Sequence, residues 1–445
     1  MEISIPHIHK IEGDAGFWAK VAKTGKVEEL KFETLEGLRQ IEGMLVGRRI
    51  QEVPIVVSRI CGICPVVHIL NACCALEKAL EIKVSPLIIL LRKLFLSSQI
   101  IQSHTLHLFF LSLPDFVNVE DDFELMKKFK KESQAALKIR DFSLEITKII
   151  GGRKVHPISP RIGGFHKMPE KNDLKKILKE FPSVLDSFYV LSEIFKNLSY
   201  PTLKREINYS SLYSGKEYSF YQENYVKIQD EKITIGDFYS DKIEEDLKIP
   251  PVKRATYKGE PYMLGSIARM KNSGEFLSPS AKNLFNEFKK KNSISDEEYF
   301  QNIYHNLFSQ AVEILHFLED SQNMVKDILE FDLKEPAPEI SARGGSAFSA
   351  RGGCASGAGG KITRGSGLSA MEAPRGTLFT YFEIDDDGRV LNCNIITPTA
   401  QFLTNLEKDL KIILPDILKL SQEEQKRKIR ALIRIYDPCI SCATH

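Results

Sequence analysis

The sequence predicts a helix-dominated α+β fold, with a long central helix bundle and small antiparallel hairpins or sheets at its periphery. Two patterns predict it: long stretches with the apolar spacing of helices, and short alternating stretches paired around turn residues. The 445 residues are enough to bury a large core. We expect them to form one domain spanning residues 1–445.

The first predicted elements are a hairpin and two helices. Residues 16–22 and 27–33 are strand-like and are joined by a turn around Gly25. Helical spacing of apolar residues follows over residues 37–46 and again over residues 66–80.

Three long helices are predicted next. Ser85 and Pro86 have the chemistry of an N-cap and a first helical position, and they start an apolar helix expected to end near residues 113–115. A second helix follows the acidic residues 120–122 and stops at Gly151 and Gly152. A third covers residues 172–198.

The second half of the chain mixes hairpins and helices. The predicted elements are a hairpin over residues 225–235, a helix over 297–329, a hairpin formed by 376–384 and 389–396, and an amphipathic helix over 422–433. Residues 343–367 are rich in glycine, serine and alanine, which predicts a flexible loop or lid within the domain.

Composition excludes several classes of protein. The net charge is +2, and no basic stripe is interleaved with aromatic residues, so we expect no nucleic-acid partner. The most apolar stretch, residues 87–113, contains Arg92 and Gln99 and predicts a buried helix rather than a direct membrane span. Residues 1–16 lack the apolar core of a signal peptide.

Four of the eight cysteines form two CxxC pairs at opposite ends of the chain, Cys61 with Cys64 and Cys439 with Cys442. Two intervening residues let both sulfurs of a pair reach one ion, and four thiolates favour zinc, nickel, iron or copper(I). His68 follows Cys64 by one helical turn, where its imidazole can donate a hydrogen bond to a thiolate.

The other cysteines and the last residue add two expectations. Cys73, Cys74, Cys354 and Cys393 lack the spacing of an iron–sulfur cluster, so we expect no such cluster in this chain. The sequence ends at His445, which offers an imidazole and a carboxylate suited to closing a metal site. From the residues alone, a structural zinc site remains an alternative.

Both cysteine pairs resemble the two signatures of the large, catalytic subunit of nickel–iron hydrogenases. The matching segments are Arg59-Ile-Cys61-Gly-Ile-Cys64 and Asp437-Pro-Cys439-Ile-Ser-Cys442-Ala-Thr-His445. The resemblance extends to Lys10-Ile-Glu12-Gly, to LRQIEGMLVGR around Glu42, to SHTLHLFFLSLPD ending at Asp115, to His156-Pro157, to Ala373-Pro-Arg375-Gly and to Thr397-Pro-Thr399. Within this family, the sequence is most similar to the cytoplasmic, multi-subunit members of the bidirectional and methyl-viologen-reducing types.

The resemblance implies a nickel–iron centre whose iron carries two cyanides and one carbon monoxide. Cys61 and Cys439 would be terminal nickel ligands, and Cys64 and Cys442 would bridge the two metals. His68 would support a thiolate.

The surrounding polar residues also receive roles from the resemblance. Arg375 and Thr399 would hydrogen-bond the cyanides, and Glu12 would relay protons. Asp115 and Asp437 would join Arg375 in a polar canopy.

A second metal site is implied near the C-terminus. Glu42, the main-chain carbonyl of Ile395 and His445 would surround Mg²⁺ or Fe²⁺ there.

The implied reaction is the reversible heterolytic oxidation of H2 to protons and electrons. Electrons would pass first to an iron–sulfur small subunit and then to further electron-transfer subunits. The resemblance implies a cytoplasmic location. A structural-zinc protein, and an H2 sensor or complex I-like relative without fast turnover, remain the alternatives. The sequence does not identify the electron acceptor.

Overall fold

The computed structural model describes residues 2–22, 24–246, 252–334, 340–341, 360–361 and 363–444, with backbone only for 241–246, 340–341 and 360–361. Its helices are α1 (Ile41–Leu45), α2 (Val53–Val57), α3 (Pro65–Ala79), α4 (Pro86–Leu106), α5 (Leu113–Val117), α6 (Asp122–Lys128), α7 (Lys130–Gly151), α8 (Lys171–Asn197), α9 (Ile235–Asp237), α10 (Ser266–Ser273), α11 (Pro279–Asn292), α12 (Asp296–Phe300), α13 (Asn306–Glu330), α14 (Pro398–Ile417), α15 (Gln422–Ile435) and α16 (Ile440–Ala443). A π-helical segment, His107–Ser112, continues α4.

The strands form small sheets, which are antiparallel except for the pair β11–β12. They are β1 (Glu2–Ile5), β2 (Ala15–Val21), β3 (Val27–Thr34), β4 (Pro160–Arg161), β5 (Gly164–Phe165), β6 (Ser210–Tyr213), β7 (Tyr225–Ile228), β8 (Glu231–Thr234), β9 (Ile243–Asp246), β10 (Arg254–Tyr257), β11 (Ile340–Ser341), β12 (Gly360–Lys361), β13 (Gly365–Ala373), β14 (Gly376–Ile384) and β15 (Val390–Ile396). The three-stranded sheets are β1-β2-β3, β6-β7-β8 and β13-β14-β15.

The predicted helix-dominated α+β fold is confirmed. Helices α4, α7, α8 and α13 pack against one another as the central bundle. Their apolar faces belong to a continuous hydrophobic cluster that also contains residues from both ends of the chain, among them Ile3 and Ala443. No helix within the described ranges is long and apolar enough to span a bilayer.

Helix α3 and the β13-β14-β15 sheet form the support for the site. Asn71 of α3 donates to the Leu378 carbonyl and to Thr380 Oγ1, both at 2.9 Å, which ties the helix to β14. Strands β13 and β14 are joined by a two-residue turn, Pro374 and Arg375, because Ala373 pairs with Gly376. The sheet therefore presents Arg375 at its tip.

The prediction of a loop over residues 343–367 is wrong for residues 365–367, which form the start of strand β13. A Cβ on Gly365 would lie 2.3 Å from the Ala79 carbonyl oxygen, and one on Gly367 would lie 2.0 Å from that of Ala75. These glycines therefore permit close packing of strand on helix. Residues 342–359 and 362 lie outside the described part of the chain.

Three predicted helices are shorter than expected or divided. The helix predicted from residues 120–122 to Gly151 is divided into α6 and α7 at Phe129. The helix predicted over residues 37–46 covers only Ile41–Leu45, because Gln40 is left-handed at φ 52° and the Arg39 N–H donates to the Thr444 carbonyl. The helix predicted over residues 297–329 is divided into α12 and α13 by a 3₁₀ turn at Ile303–His305.

Candidate metal centre

The first cysteine pair is built at the N-terminus of α3. Cys64 is the N-cap residue, and Pro65 fixes the first helical position. The backbone N–H groups of Ile63 and Cys64 point to Cys61 Sγ at 3.3 and 3.2 Å. Backbone donors at a helix N-terminus stabilise a thiolate.

A side chain from α4 completes this helix end. Gln99 Oε1 accepts from the N–H groups of Val66 at 2.6 Å and Val67 at 3.3 Å. Two donors that the first turn leaves without intrahelical partners are thus satisfied.

Cys439 is the N-cap of the short helix α16 and Cys442 lies within it. This second pair is held by the opposite end of the chain. The Ile440 N–H donates to the Glu12 carbonyl at 2.7 Å. The Arg39 guanidinium donates to the Ile60 carbonyl at 2.6 Å and to the Ser441 carbonyl, so it connects the backbones of both pairs. Glu36 also accepts from Ser441 Oγ at 3.1 Å.

All four sulfurs meet in one buried cluster. Cys61 and Cys439 Sγ are 3.6 Å apart, Cys64 and Cys442 Sγ 3.2 Å, and Cys439 and Cys442 Sγ 2.7 Å. All four lie within 4.8 Å of one another, and each cysteine is buried. Residues 378 positions apart in sequence are therefore neighbours.

The electrostatics of this cluster favour a cation. Desolvation opposes ionisation of each thiol, yet hydrogen bonds from Cys439, Cys442 and Cys64 hold the pKa of Cys61 well below its usual value. Desolvation raises the pKa of Cys439 and Cys442 well above that value. Four buried sulfurs this close together ionise only when positive charge is added between them.

Arg375 lies beside the sulfurs with one nitrogen available. Its Nε donates to the Asp437 carbonyl at 2.6 Å, and Nη2 donates to Asp437 Oδ1 at 2.8 Å. Its buried Nη1 has no hydrogen-bond partner among the described residues. Asp437 itself is held at φ 51°, a left-handed conformation that turns the chain into the second pair.

A small cavity joins these groups. It is lined by Cys64, His68, Ala373, Pro374, Arg375, Leu378, Pro398, Thr399, Cys439 and Cys442. Four soft sulfur donors on one side and an unsatisfied guanidinium N–H on the other fit a metal unit that carries anionic ligands. The residues thus fit a nickel–iron group.

Three other predicted residues contact the cysteines. Glu12 Oε1 lies 3.9 Å from Cys61 Sγ, and His68 Nε2 lies 3.6 Å from Cys442 Sγ. Thr399 Oγ1 accepts from the Cys439 N–H at 3.0 Å. Burial raises the pKa of Glu12 to about 7, with Cys61 adding to the rise and Arg375 opposing it.

Asp115 bonds to a different arginine from the one expected. Its Oδ2 accepts from Arg434 Nη1 at 2.8 Å, near the end of α15. The Arg434 carbonyl accepts from the Asp437 N–H at 2.8 Å, and His107 Nε2 lies 2.7 Å from the same carbonyl. Asp115 thus fixes the helix end that precedes Asp437.

At the expected second metal site, Glu42 and Ile395 both contact the ammonium group of Lys253. Lys253 Nζ lies 2.7 Å from Glu42 Oε1, 2.6 Å from Asn394 Oδ1 and 3.3 Å from the Ile395 carbonyl. Oxygen donors of this kind suit Mg²⁺. An ion at these oxygens would displace the ammonium. His445 lies outside the described residues.

Arg39 and Gln99 were not predicted as site residues. Both act on backbone groups of the cysteine segments, and no local pattern marks such a contact. An arginine or glutamine beside apolar residues is the one available signal, because such groups are rarely buried without partners.

Comparison with known proteins identifies the family. The family model described as nickel-dependent hydrogenase matches residues 39–143 and 186–445. The chain belongs to the nickel-dependent hydrogenase family. The hydrogenase is thus an oxidoreductase that acts on H2.

Curated relatives match along the whole hydrogenase chain. The alpha chain of sulfhydrogenase 1 from Pyrococcus furiosus is 30% identical, over 100% of this chain and 98% of the relative. A chain of the F420-non-reducing hydrogenase from Methanothermobacter marburgensis is 27% identical, over 100% of this chain and 95% of the relative. These relatives belong to hydrogenases made of several chains.

Solved structures agree in fold. An NAD⁺-reducing [NiFe]-hydrogenase in the H2-reduced state matches with a TM-score of 0.84 and 23% identity, over 100% of this chain and 99% of that chain. The reduced Ni-Fe-Se hydrogenase of D. vulgaris Hildenborough matches with a TM-score of 0.77 and 23% identity, over 100% of both chains.

Proposed function

We propose that Cys61, Cys64, Cys439 and Cys442 hold a nickel–iron group at which this chain oxidises H2 reversibly. Cys61 and Cys439 would bind nickel alone, and Cys64 and Cys442 would bridge nickel and iron. The convergence of four sulfurs from both ends of the chain supports this proposal most strongly.

The proposed chemistry divides between the metal group and the side chains. When bound, the metal group would supply the Lewis acid that polarises H2 and would take up the electron pair of the H–H bond. A cysteine sulfur would accept the proton that is released, and the Glu12 carboxylate, 3.9 Å from Cys61 Sγ, would carry it away. The buried setting of the four cysteines excludes water from this step.

Arg375, Thr399 and Asp437 form the opposite wall in this proposal. Arg375 Nη1 and the Thr399 hydroxyl would donate hydrogen bonds to the cyanides on iron. Asp437 fixes the guanidinium through its carbonyl and its carboxylate. His68 would stabilise the Cys442 thiolate, from which its Nε2 is 3.6 Å away.

Electrons require a route out of the chain. Within the described residues, one group of three or more histidine, cysteine or acidic side chains is placed so that it could hold a metal. This group is the four-cysteine cluster. We therefore propose that electrons pass first to an iron–sulfur small subunit. From there they would move on through further electron-transfer subunits, with no iron–sulfur cluster in this chain.

Magnesium near the C-terminus is a separate proposal. The carboxylate of Glu42 and the carbonyl of Ile395 would bind Mg²⁺ or Fe²⁺ with His445, after the Lys253 ammonium moves aside. One magnesium, or a second iron, per nickel in this chain supports this proposal, and the absence of both at full activity rejects it. A single domain over residues 1–445 and a cytoplasmic location stay predictions.

The hydrogenase proposal is tested by H2-dependent dye reduction with the complex of this chain and its iron–sulfur subunit. Arg375→Lys should lower kcat by about 100-fold or more, because a lysine cannot keep both Asp437 bonds and also donate into the cavity. An inactive wild-type complex that contains zinc would reject the proposal in favour of a structural site.

A further inference from the structure

Arg269 lies directly behind the turn that carries Arg375. It belongs to α10, is 0% exposed, and lies between Glu313 and Glu372, which are also 0% exposed. Charged side chains are almost never buried this completely unless they are paired. The proposed chemistry assigns Arg269 no part.

All five N–H groups of the Arg269 guanidinium have acceptors. Nε and Nη2 donate to the two oxygens of Glu313 at 2.6 and 2.7 Å. Nη1 donates to Glu372 Oε2 at 2.9 Å and to the Ala373 carbonyl at 3.0 Å. Nη2 also donates to the Pro374 carbonyl at 3.1 Å. One planar group therefore holds two consecutive carbonyls of the β13–β14 turn.

The turn also packs closely on the start of α10. A Cβ on Gly376, at φ +129°, would lie 2.4 Å from Leu264 Cβ. A Cβ on Gly265, at φ +85°, would lie 3.3 Å from the Arg375 carbonyl oxygen. The turn and the residues that precede α10 are therefore in direct contact, with no room for a larger residue at Gly376 or Gly265.

The two carboxylates have further partners that keep them in place. Glu313 accepts from Tyr218 Oη at 2.5 Å and lies 2.9 Å from His104 Nε2. Glu372 accepts from Thr377 Oγ1 at 2.6 Å and from the Leu212 N–H at 2.9 Å. The Arg269 guanidinium is thus fixed from both sides.

We infer that Arg269 is a positioning residue for the hydrogenase reaction, because it holds the carbonyls of Ala373 and Pro374, immediately before Arg375, and thereby aims Arg375 Nη1 at the cysteine cluster. This inference rests on the proposed role of Arg375. A lysine at position 269 keeps the charge but cannot span both carboxylates and both carbonyls. A displacement of about 1 Å can lower a rate by about 100-fold.

Arg92 offers a matched control. It is also 0% exposed, and it forms a two-point ion pair with Glu77 at 2.5 and 2.8 Å. Its other contacts include the Arg161 carbonyl, Cys74 Sγ and Tyr221, none of which belongs to the β13–β14 turn. Arg92→Lys therefore imposes a similar loss of packing and pairing without touching the turn.

The test compares Arg269→Lys, Arg92→Lys and wild type as complexes with the iron–sulfur subunit. We expect the infrared cyanide bands to shift in Arg269→Lys only, with kcat about 10- to 100-fold lower and the KM for H2 changed less than about threefold. Both variants should melt below wild type. Only the Arg269 variant should change the spectrum.

Cyanide bands in Arg269→Lys that coincide with those of wild type would overturn the inference, even if the variant is unstable. Should Arg269→Lys not fold, Glu372→Gln decides, since it keeps the side-chain size and removes one carboxylate oxygen from the same network. Its cyanide bands should shift relative to those of wild type, and unshifted bands contradict the inference. A wild-type complex without cyanide bands rejects the proposed function itself.

Discussion

The two cysteine pairs contribute equally to one cluster but are held in different ways. Cys61 and Cys64 precede α3, a helix of 15 residues that packs against β13 and β14. Cys439 and Cys442 flank or lie in α16, a helix of 4 residues. Contacts from the start of the chain, made by Glu12, Glu36 and Arg39, help to fix the second pair.

This difference shows how the hydrogenase site is assembled. The first pair is positioned by the N-terminus of α3, which is close to it in sequence. The second pair depends on Glu12 and Arg39, which are more than 400 positions away from Ile440 and Ser441. We therefore expect changes in the long-range contacts to open the cluster, while the first pair stays in place.

Replacing a sulfur of the second pair has the largest expected effect. Cys442→Ser replaces a bridging thiolate by a hydroxyl, a poor ligand for nickel and iron. Supporting residues around metals alone are worth about 10- to 100-fold, so H2-dependent dye reduction should fall by more than about 1,000-fold, with loss of bound nickel. Cys73→Ala changes a buried cysteine of α3 outside the cluster and should retain both dye reduction and bound nickel. Equal losses of activity and nickel in the two variants would contradict the ligand assignment.

Removing the carboxylate beside the first pair comes next. Glu12→Gln keeps the shape and the backbone contact with Ile440, but its amide cannot accept a proton. Dye reduction should fall by about 100-fold with the nickel content unchanged. Glu36→Gln is the matched control, because Glu36 lies near the cysteine segment but bonds to Ser441 Oγ. Wild-type turnover in Glu12→Gln would exclude Glu12 as the relay.

Breaking the long-range contact tests the comparison of the two pairs directly. Arg39→Gln removes the charged bridge between the Ile60 and Ser441 carbonyls. Hydrogen bonds from charged groups contribute about 1.5–3 kcal/mol, so nickel should be lost to a chelator about tenfold faster or more. Arg48→Gln is the control, since Arg48 contacts the nearby Met44 carbonyl at 2.8 Å. Equal nickel-loss rates in the two variants would show that Arg39 does not hold the second pair.

Removing the local support of the first pair should have the smallest effect on the metals. Gln99→Leu leaves the Val66 and Val67 N–H groups without their acceptor and should lower the free energy of unfolding by about 1–2 kcal/mol. Nickel loss should stay within about twofold of wild type, because α3 remains packed on the sheet. Denaturant unfolding and chelator kinetics measure the two effects. Faster nickel loss than in Arg39→Gln would reverse the comparison.

The sequence predicted the chemistry of the site better than its scaffold. Cysteine type and spacing carry ligand chemistry directly, so the cluster of Cys61, Cys64, Cys439 and Cys442 could be predicted. Arg39 and Arg269 could not be predicted, because they bind backbone carbonyls that only tertiary structure brings near them. The helix predicted over residues 37–46 failed for the same reason, since a contact with Thr444 overrides local helical preference.

The long central helices were predictable because their apolar spacing and caps are local signals. Ser85 caps α4 by accepting from the Ile88 N–H, and Gly152 ends α7 at φ 81°. The strand at Gly365 was not predictable from composition. Glycine at a close strand–helix contact and glycine in a flexible loop look alike in sequence.

The central claim is that sulfurs from both ends of the chain bind one nickel and one iron. Anomalous diffraction at the nickel and iron absorption edges, on crystals of the complex with the iron–sulfur subunit, tests it most directly. We predict one nickel bonded to all four cysteine sulfurs and one iron bonded to the sulfurs of Cys64 and Cys442. A single zinc at that position, or a disulfide without any metal, would contradict the claim.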